Sequence, residues 1–239
     1  KDYILIAAKE ENYGGGKYKD DRIVNDMVKK GEDYWNFRML NRNKDIIDPE
    51  TFALLERIKA NINHRSPIRE LFEDTNEPDV EWFTEKEIFW EIPAEIAGEV
   101  RQLKAKSKLD KLRINHKTKK FSIRDLKTTG KSIQYFQNSF EFYRYYRQIA
   151  FYEDAVKYRL KEIGLDYEPE DHFIGVVETK GYNLVRKFKV SRKYVEKGRE
   201  EYLKLIDRIA WHTQRNNWIF SIEEVENKHE FVLEPETEE

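Results

Sequence analysis

The sequence predicts an α/β fold, a β-sheet flanked by helices, from three observations. First, strand-like segments follow one another through the centre of the chain, at Glu81–Ile92 and within Lys104–Thr129. Second, segments with helical spacing of apolar residues precede and follow this central set. Third, a chain of 239 residues can bury one substantial core. Alternation of helices and strands around one core is typical of α/β proteins.

Three helices are predicted before the strands. Apolar spacing allows a first helix over Asn25–Leu40. The dipeptide Asp48-Pro49 starts a second one, because Asp is a good N-cap and Pro fits the first helical position. That helix reaches His64, and the following Ser66-Pro67 restarts the chain as a short helix ending at Phe72.

The central segments read as a meander of three or four strands. Glu81–Ile92 is dense in aromatic and β-branched residues, which favour strands. Val100–Ala105 leads from it into a hairpin whose two strands are joined by the polar turn Asn115–Lys119. The hairpin as a whole spans Lys104–Thr129.

Beyond the hairpin, Lys131–Ile163 reads as one long helix that is rich in aromatic rings and ends at Gly164. Such rings can stack on nucleic-acid bases, but packing against the sheet is the more common reason for them. His172–Lys180 and Leu184–Val190 predict a second hairpin. Ser191 then caps a final helix that extends to about Asn216.

Composition excludes several classes of protein. Without cysteine the chain has no disulfides, thiolate zinc sites or cysteine-bound iron–sulfur clusters. Charged residues make up 38% of it and no apolar run approaches a membrane span, so we expect no membrane association. The absence of cysteine is compatible with a reducing compartment, and we expect the cytoplasm of a bacterium or of a phage-infected host cell. We expect an irregular arm over residues 1–30, a single domain over 31–220 and an acidic segment over 221–239, with Trp218–Leu233 adding a small strand or docking segment.

The central hairpin carries two acids and a lysine in a pattern that suggests metal chemistry. Side chains alternate along a strand, so Asp125 and Lys127 project from the same face. Asp110 lies on the neighbouring strand and can sit beside Asp125. Carboxylates hold Mg²⁺ or Mn²⁺, and an ammonium beside them can stabilise developing negative charge. The alternative is an exposed strand with scattered charges.

Charge is distributed unevenly although the net charge is only −2. Between Arg101 and Lys131 there are twelve Lys or Arg and only two acids, a local net charge of +10. A basic block of this kind attracts a polyanion such as DNA, although charge runs are often only solvated surface. We therefore predict a DNA-binding surface formed by basic residues of this block and of the aromatic helix, namely Lys104, Lys106, Lys108, Lys131 and Arg144.

Taken in order, these motifs resemble the exonuclease VIII (RecE-like) branch of PD-(D/E)XK nucleases, and more distantly lambda exonuclease and the RecB nuclease domain. The matching motifs are His64 before a proline, Lys108-Leu109-Asp110 ending a strand, Asp125-Leu126-Lys127-Thr128-Thr129, and Gln148 with Tyr152 four residues later. They cover His64–Tyr152. The resemblance implies a restriction-endonuclease-like core with a central mixed β-sheet flanked by helices.

The resemblance also implies a role for each matching residue. Asp110 and Asp125 would hold Mg²⁺ or Mn²⁺, with the Leu126 carbonyl as a backbone ligand and His64 as a further ligand or a group behind the ligands. Lys127 would orient the attacking water by electrostatics. Gln148 and Tyr152 would support the site or contact the substrate strand.

The function expected from the resemblance is a metal-dependent deoxyribonuclease, specifically an exonuclease on linear duplex ends in phage-type recombination. A single-strand annealing protein and a homo-oligomeric ring are the expected partner and assembly. Two alternatives stay open: a restriction- or repair-type endonuclease of the same fold, and a catalytically silent DNA-binding protein.

Overall fold

The structure, a computed structural model, describes residues 21–44, 46–64, 66–96 and 99–226. Contacts divide the chain into two units, Lys1–Ala53 and Leu54–Glu239. The first unit contains helix α1 (Asp21–Leu40) and the start of helix α2 (Pro49–Asn63).

Helix α2 begins as the sequence predicts. The Thr51 backbone N–H donates to Asp48 Oδ1 at 2.8 Å, and the Thr51 hydroxyl donates to Oδ2 at 2.7 Å. Asp48 is therefore the N-cap, satisfying a donor that the first turn leaves unpaired. Helix α1 begins at Asp21, earlier than the predicted Asn25, so residues 21–30 of the predicted arm are helical. The rest of that arm lies outside the described residues.

The second unit contains the rest of α2 and every strand among the described residues. A short 3₁₀ turn, Ile133–Tyr135, follows the third strand. The remaining elements are, in chain order, α3 (Ser66–Phe72), β1 (Val80–Ile96), β2 (Glu99–Asn115), β3 (Lys120–Thr129), α4 (Phe136–Phe142), α5 (Tyr145–Glu162), β4 (Glu168–Pro169), β5 (His172–Glu178), β6 (Val185–Val190), α6 (Arg192–Arg215) and α7 (Ile222–Glu226).

The strands form one mixed sheet in the order β1-β2-β3-β5-β6, with the short β4 beside β3. Strands β1, β2 and β3 form an antiparallel meander, and β5 and β6 form an antiparallel hairpin. Between these two halves, β3 and β5 run parallel. A parallel pair needs a long crossover connection, and α4 and α5 provide it. The predicted fold class, α/β with a central mixed sheet flanked by helices, is confirmed.

Strand β5 shows that helices cover both faces of the sheet. Ile174 and Val176 join the main core, to which α5 and α6 contribute. Val177 instead packs with Val185, with Ile58 of α2 and with Ile68 of α3. Burial on both faces explains why this strand reads as an almost continuous apolar run.

The long β1–β2 hairpin changes its inward-facing side at one position. In β1, Ile88 and Trp90 point into the core beyond this position, whereas Phe83 does so before it. Glu85 lies at the change with a left-handed φ of 52°, opposite Asp110. The pairs on both sides of Glu85 follow the same register. The side chains that face the core therefore change side without an extra residue in either strand. Strict alternation therefore fails here, at the edge of the predicted site.

The aromatic helix predicted over Lys131–Ile163 is interrupted, so that prediction was wrong. Helix α4 ends at Phe142, and α5 begins at Tyr145. Between them, Arg144 adopts the left-handed conformation with φ 53° and ψ 44°. A non-glycine residue rarely adopts this conformation, so the sequence gives no sign of the interruption.

Other predicted boundaries agree with the structure. Gly164 follows α5 with a φ of 76°, as expected of a residue that ends a helix. The side chain of Ser191 accepts a hydrogen bond from the Tyr194 backbone N–H at the start of α6. In the predicted strand or docking segment Trp218–Leu233, the described residues contain the short helix α7 instead.

Candidate active site

The β2–β3 pair positions the two predicted acids side by side. Its antiparallel pairing runs from Asn115 opposite Lys120 to Lys111 opposite Arg124. One step further along, Asp110 Oδ2 accepts a hydrogen bond of 2.7 Å from the Leu126 backbone N–H. The Asp110 carboxylate thus takes the place of a backbone acceptor at the point where the two strands separate. Its negative charge is also close enough to Asp125 to raise the pKa of that residue.

Asp125 is a buried acid facing a lysine. Its side chain is about 2% exposed, and Lys127 Nζ lies 2.6 Å from Oδ2. The contact is an ion pair without the directionality of a hydrogen bond, so Oδ2 is a buried atom with no hydrogen-bond partner in the described part of the chain. Burial raises the pKa of Asp125 to about 6, against the opposing effect of Lys127. A buried carboxylate in this state favours a further cation.

Helix α5 contributes polar side chains to the same place. Lys127 Nζ lies 5.1 Å from the centre of the Tyr145 ring. One turn further along, Gln148 Nε2 donates to the Tyr152 hydroxyl at 2.8 Å. Burial raises the pKa of Tyr152, and the charges of Asp125 and Asp110 raise it further against the effect of Gln148. The phenol therefore stays protonated and can donate a hydrogen bond near the acids.

Glu85 is an additional acid that the sequence analysis missed. Its charge contributes to the raised pKa of Tyr152, which places it near the two aspartates, and its carboxylate forms an ion pair with Lys108. Nothing local to Glu85 marks it out. The signal is its register position opposite Asp110, which requires the β1–β2 pairing to be known.

The two aspartates and the adjacent backbone fit a divalent cation of the magnesium type. Asp125 is buried with Lys127 as its charged neighbour, and Asp110 lies close enough to raise its pKa. The N–H and C=O of one residue point to the same side of an extended strand, so the Leu126 carbonyl faces the side on which Asp110 binds its N–H. Mg²⁺ commonly uses one or two carboxylates and keeps several waters.

His64 is not part of this ligand arrangement. Its side chain is exposed just after the end of α2. Among the residues that the structure describes, no three His, Cys, Asp or Glu side chains are grouped closely enough to hold a metal ion. His64 therefore does not complete a ligand set with Asp110 and Asp125 in this arrangement, and its role near the metal stays a prediction.

Most of the predicted DNA-binding residues already have acidic neighbours. Lys106 Nζ lies 2.7 Å from Glu87 Oε1 across the β1–β2 hairpin, and Lys108 pairs with Glu85 in the same way. Arg144 Nη1 donates to Glu201 Oε2 at 2.9 Å. These pairs are partly exposed and can exchange their partner for phosphate.

Two members of the predicted set form no ion pair within the described ranges. Lys104 and Lys131 are exposed, and Glu91 lies opposite Lys104 in the β1–β2 register without pairing with it. DNA binding by all five basic residues stays a prediction.

A buried acid behind the site fixes strand β3 against α5. Glu153 is fully buried and accepts hydrogen bonds from His172, Arg192 and Arg199. His172 Nδ1 accepts from the Ile123 backbone N–H at 3.2 Å, so its Nε2 carries the proton that it donates to Glu153. Ile123 lies two residues before Asp125, and this network therefore holds the strand that carries the acid.

No family model matches the chain, and no curated protein matches it either. Among solved structures, the chain is similar to a crystal structure from Eubacterium rectale described as a candidate exonuclease, with a TM-score of 0.48 and 14% sequence identity. The match covers 93% of this chain and 80% of that one. Within the described residues, no helix is both long and apolar enough to cross a membrane.

Proposed function

We propose that this chain is a metal-dependent deoxyribonuclease that hydrolyses DNA phosphodiester bonds by direct attack of water. The observation that carries the proposal is the carboxylate of Asp125, buried beside Asp110 with its Oδ2 2.6 Å from Lys127 Nζ. Two acids and an ammonium at diverging strand ends match the requirements of phosphodiester hydrolysis better than those of passive phosphate binding. A pure phosphate binder gains nothing from buried carboxylates.

In this reaction Asp110 and Asp125 would hold Mg²⁺, together with the Leu126 carbonyl. The bound ion supplies Lewis-acid activation of water and neutralises charge on the phosphate. Lys127 lies at the edge of the site, where it would orient the water and stabilise negative charge that develops on the phosphate oxygens. Tyr152, held by Gln148, offers a hydrogen bond to the substrate strand.

The finer proposal is an exonuclease acting on linear duplex ends, working with a single-strand annealing protein and assembling as a ring. The motifs from His64 to Tyr152 support it through their resemblance to exonuclease VIII. A restriction- or repair-type endonuclease would use the same residues, and a covalently closed circular substrate separates the two because it has no ends.

The test is degradation of linear and closed circular plasmid DNA by the purified chain, in Mg²⁺ and in EDTA. We expect Mg²⁺-dependent loss of the linear form only, and a decrease of about 100-fold or more for Asp125→Asn and for Lys127→Ala. Asp171→Asn is the matched control, because Asp171 pairs with Lys189 at the same distance of 2.6 Å but is exposed. Full activity of both site variants would overturn the assignment, and nicking of the circle would favour the endonuclease.

A further inference from the structure

Three rings between β3 and α5 are exposed although the segment is otherwise part of the core. Phe136 and Phe140 of this segment are buried. In contrast, Tyr135 is 61% exposed, Phe142 79% and Tyr143 61%. Packing against the sheet, which explains the buried rings, does not explain these three.

The exposed rings line one groove, whose volume is about 530 Å³. Its other walls are formed by Lys131, Asn138 and Ser139. Lys131 is exposed at the rim and has no ion pair among the described residues. The Lys180 side chain, also exposed, packs beside the neighbouring Gly130. The groove therefore combines flat apolar surfaces with positive charge at its edge.

The acids near this groove are already engaged. Glu141 on α4 accepts a hydrogen bond from the Tyr194 hydroxyl. Glu178 at the end of β5 accepts from the Ile133 backbone N–H at 3.1 Å and from that of Leu184 at 3.3 Å. Neither carboxylate forms an ion pair with Lys131 or Lys180 among the described residues, so both ammonium groups can pair with an anionic ligand.

Ring contacts connect the groove to the candidate active site. Lys127 Nζ lies over the Tyr145 ring at 5.1 Å. The centre of that ring is 5.6 Å from the centre of the Tyr143 ring, which in turn is 5.0 Å from Phe142. A strand stacked on Phe142 and Tyr143 would therefore lead directly to the lysine beside Asp125.

Arg144 holds the two outermost rings in their exposed positions. Its left-handed backbone ends α4 and turns the chain into α5. Glu201 of α6 secures this turn by accepting from Arg144 Nη1 at 2.9 Å and from the Tyr146 hydroxyl at 3.0 Å. An unfavourable backbone conformation fixed by a distant residue is characteristic of functional sites.

We propose that this groove, formed by Lys131, Tyr135, Phe142 and Tyr143, binds an unpaired DNA strand by base stacking and guides it to the active site. The proposal rests on the proposed nuclease function, from which the choice of DNA follows. Rings can stack on bases only when the base faces are free, and within a duplex these faces are covered by neighbouring base pairs. The substrate is thus a single-stranded or frayed end.

The test is binding of a fluorescent oligothymidine of about 20 nucleotides, longer than the ~4–16 nucleotides that single-strand sites span. Fluorescence anisotropy is measured in EDTA, so that cleavage does not interfere. For Phe142→Ala combined with Tyr143→Ala we expect affinity to fall about tenfold or more, while affinity for a blunt duplex changes less than about twofold. Tyr143→Phe keeps the ring and should retain the affinity.

Phe89→Ala is the matched control, because this ring is 67% exposed and has Lys106 Nζ 5.2 Å from its centre, but it lies on β1. The affinity of the Phe89→Ala variant for oligothymidine should equal that of the unmodified chain. The proposal would be overturned if the double variant kept its affinity for oligothymidine, or if its affinity for the blunt duplex fell by the same factor. It would also be overturned if the unmodified chain did not bind oligothymidine.

Failure of this proposal is distinguishable from failure of the proposed function. If the chain degrades DNA in Mg²⁺ but the double variant binds oligothymidine normally, the groove assignment is wrong and the nuclease assignment stands. If binding depends on the rings but no degradation occurs, the groove assignment stands and the nuclease assignment is wrong.

Discussion

The buried Glu153 network leads to a quantitative prediction for Glu153→Gln. The carboxylate is fully buried, and its oxygens accept from His172 Nε2 at 2.7 Å, from Arg199 at 2.8 Å and from both ends of the Arg192 guanidinium. Glutamine has nearly the same shape but replaces one acceptor by a donor that faces other donors. Arg192 would lose the carboxylate with which it is paired, whereas Arg199 would keep its ion pair with Asp154.

We expect this substitution to lower the free energy of unfolding by about 3–5 kcal/mol, the usual cost of removing one partner of a buried ion pair. In urea, with an m-value of about 3 kcal/mol/M, the unfolding midpoint should fall by about 1 M or more. The control is Glu162→Gln on the same helix, since Glu162 pairs with Arg159 at 2.7 Å in an exposed position. An exposed pair contributes only about 0–1 kcal/mol.

The pH dependence of this difference provides a second readout. Burial alone would raise the pKa of Glu153, but the hydrogen bonds from His172 and Arg192 outweigh it and hold the pKa well below the ordinary 4.5. A lowered pKa in the folded state means that the charged group stabilises the fold at pH values above 4.5, and that this contribution decreases as the pH falls below it. The midpoints of the two proteins should therefore converge in acid. A loss below about 1 kcal/mol at neutral pH would refute the reasoning.

Two further substitutions test the packing and the start of α6. Gly198→Ala should lower the free energy of unfolding measured in urea by about 1–3 kcal/mol, because the added Cβ would lie 2.3 Å from the Tyr146 carbonyl oxygen. The control is Lys204→Ala, on the exposed side of the same helix. Equal stability of the two variants would contradict the close approach. Ser191→Ala should lower the free energy of unfolding by about 1 kcal/mol in the same measurement, because the serine side chain accepts a hydrogen bond from the Tyr194 backbone N–H. Ser191→Asp keeps an acceptor at this position and should retain most of the stability.

Local features of the sequence predicted the helix caps and the central hairpin. Asp48, Ser191 and Gly164 act within a few residues of their positions, so their roles follow from local stereochemistry. Alternation along β3 likewise placed Asp125 and Lys127 on one face, and the ion pair between them agrees with it.

The interruption at Arg144 could not be predicted in the same way. Arginine has no intrinsic preference for the left-handed region, and the partner that stabilises the turn, Glu201, lies 57 residues further along the chain. The division of the aromatic segment into buried and exposed rings depends on that turn. Periodicity alone therefore predicted one continuous helix.

The electrostatics of the basic block also depend on pairing that the sequence does not state. The block is strongly positive when counted along the chain, but across the hairpin Glu85 of β1 forms an ion pair with Lys108 and Glu87 forms one with Lys106. The Glu153 network is similar, since His172 and Arg192 come from β5 and α6. In both cases the partners are distant in the chain and adjacent only in the fold.

The change of face at Glu85 restricts how the length of the β1–β2 hairpin can vary between related chains. Deletion of a single residue from either strand would exchange the core-facing and solvent-facing side chains along the part of the strand beyond the deletion. Loss of two neighbouring residues from each strand, at positions paired with one another, would keep both the register and the inward-facing sides. We therefore expect homologues to differ in the length of these paired strands by two residues per strand, with other changes of length outside the paired positions.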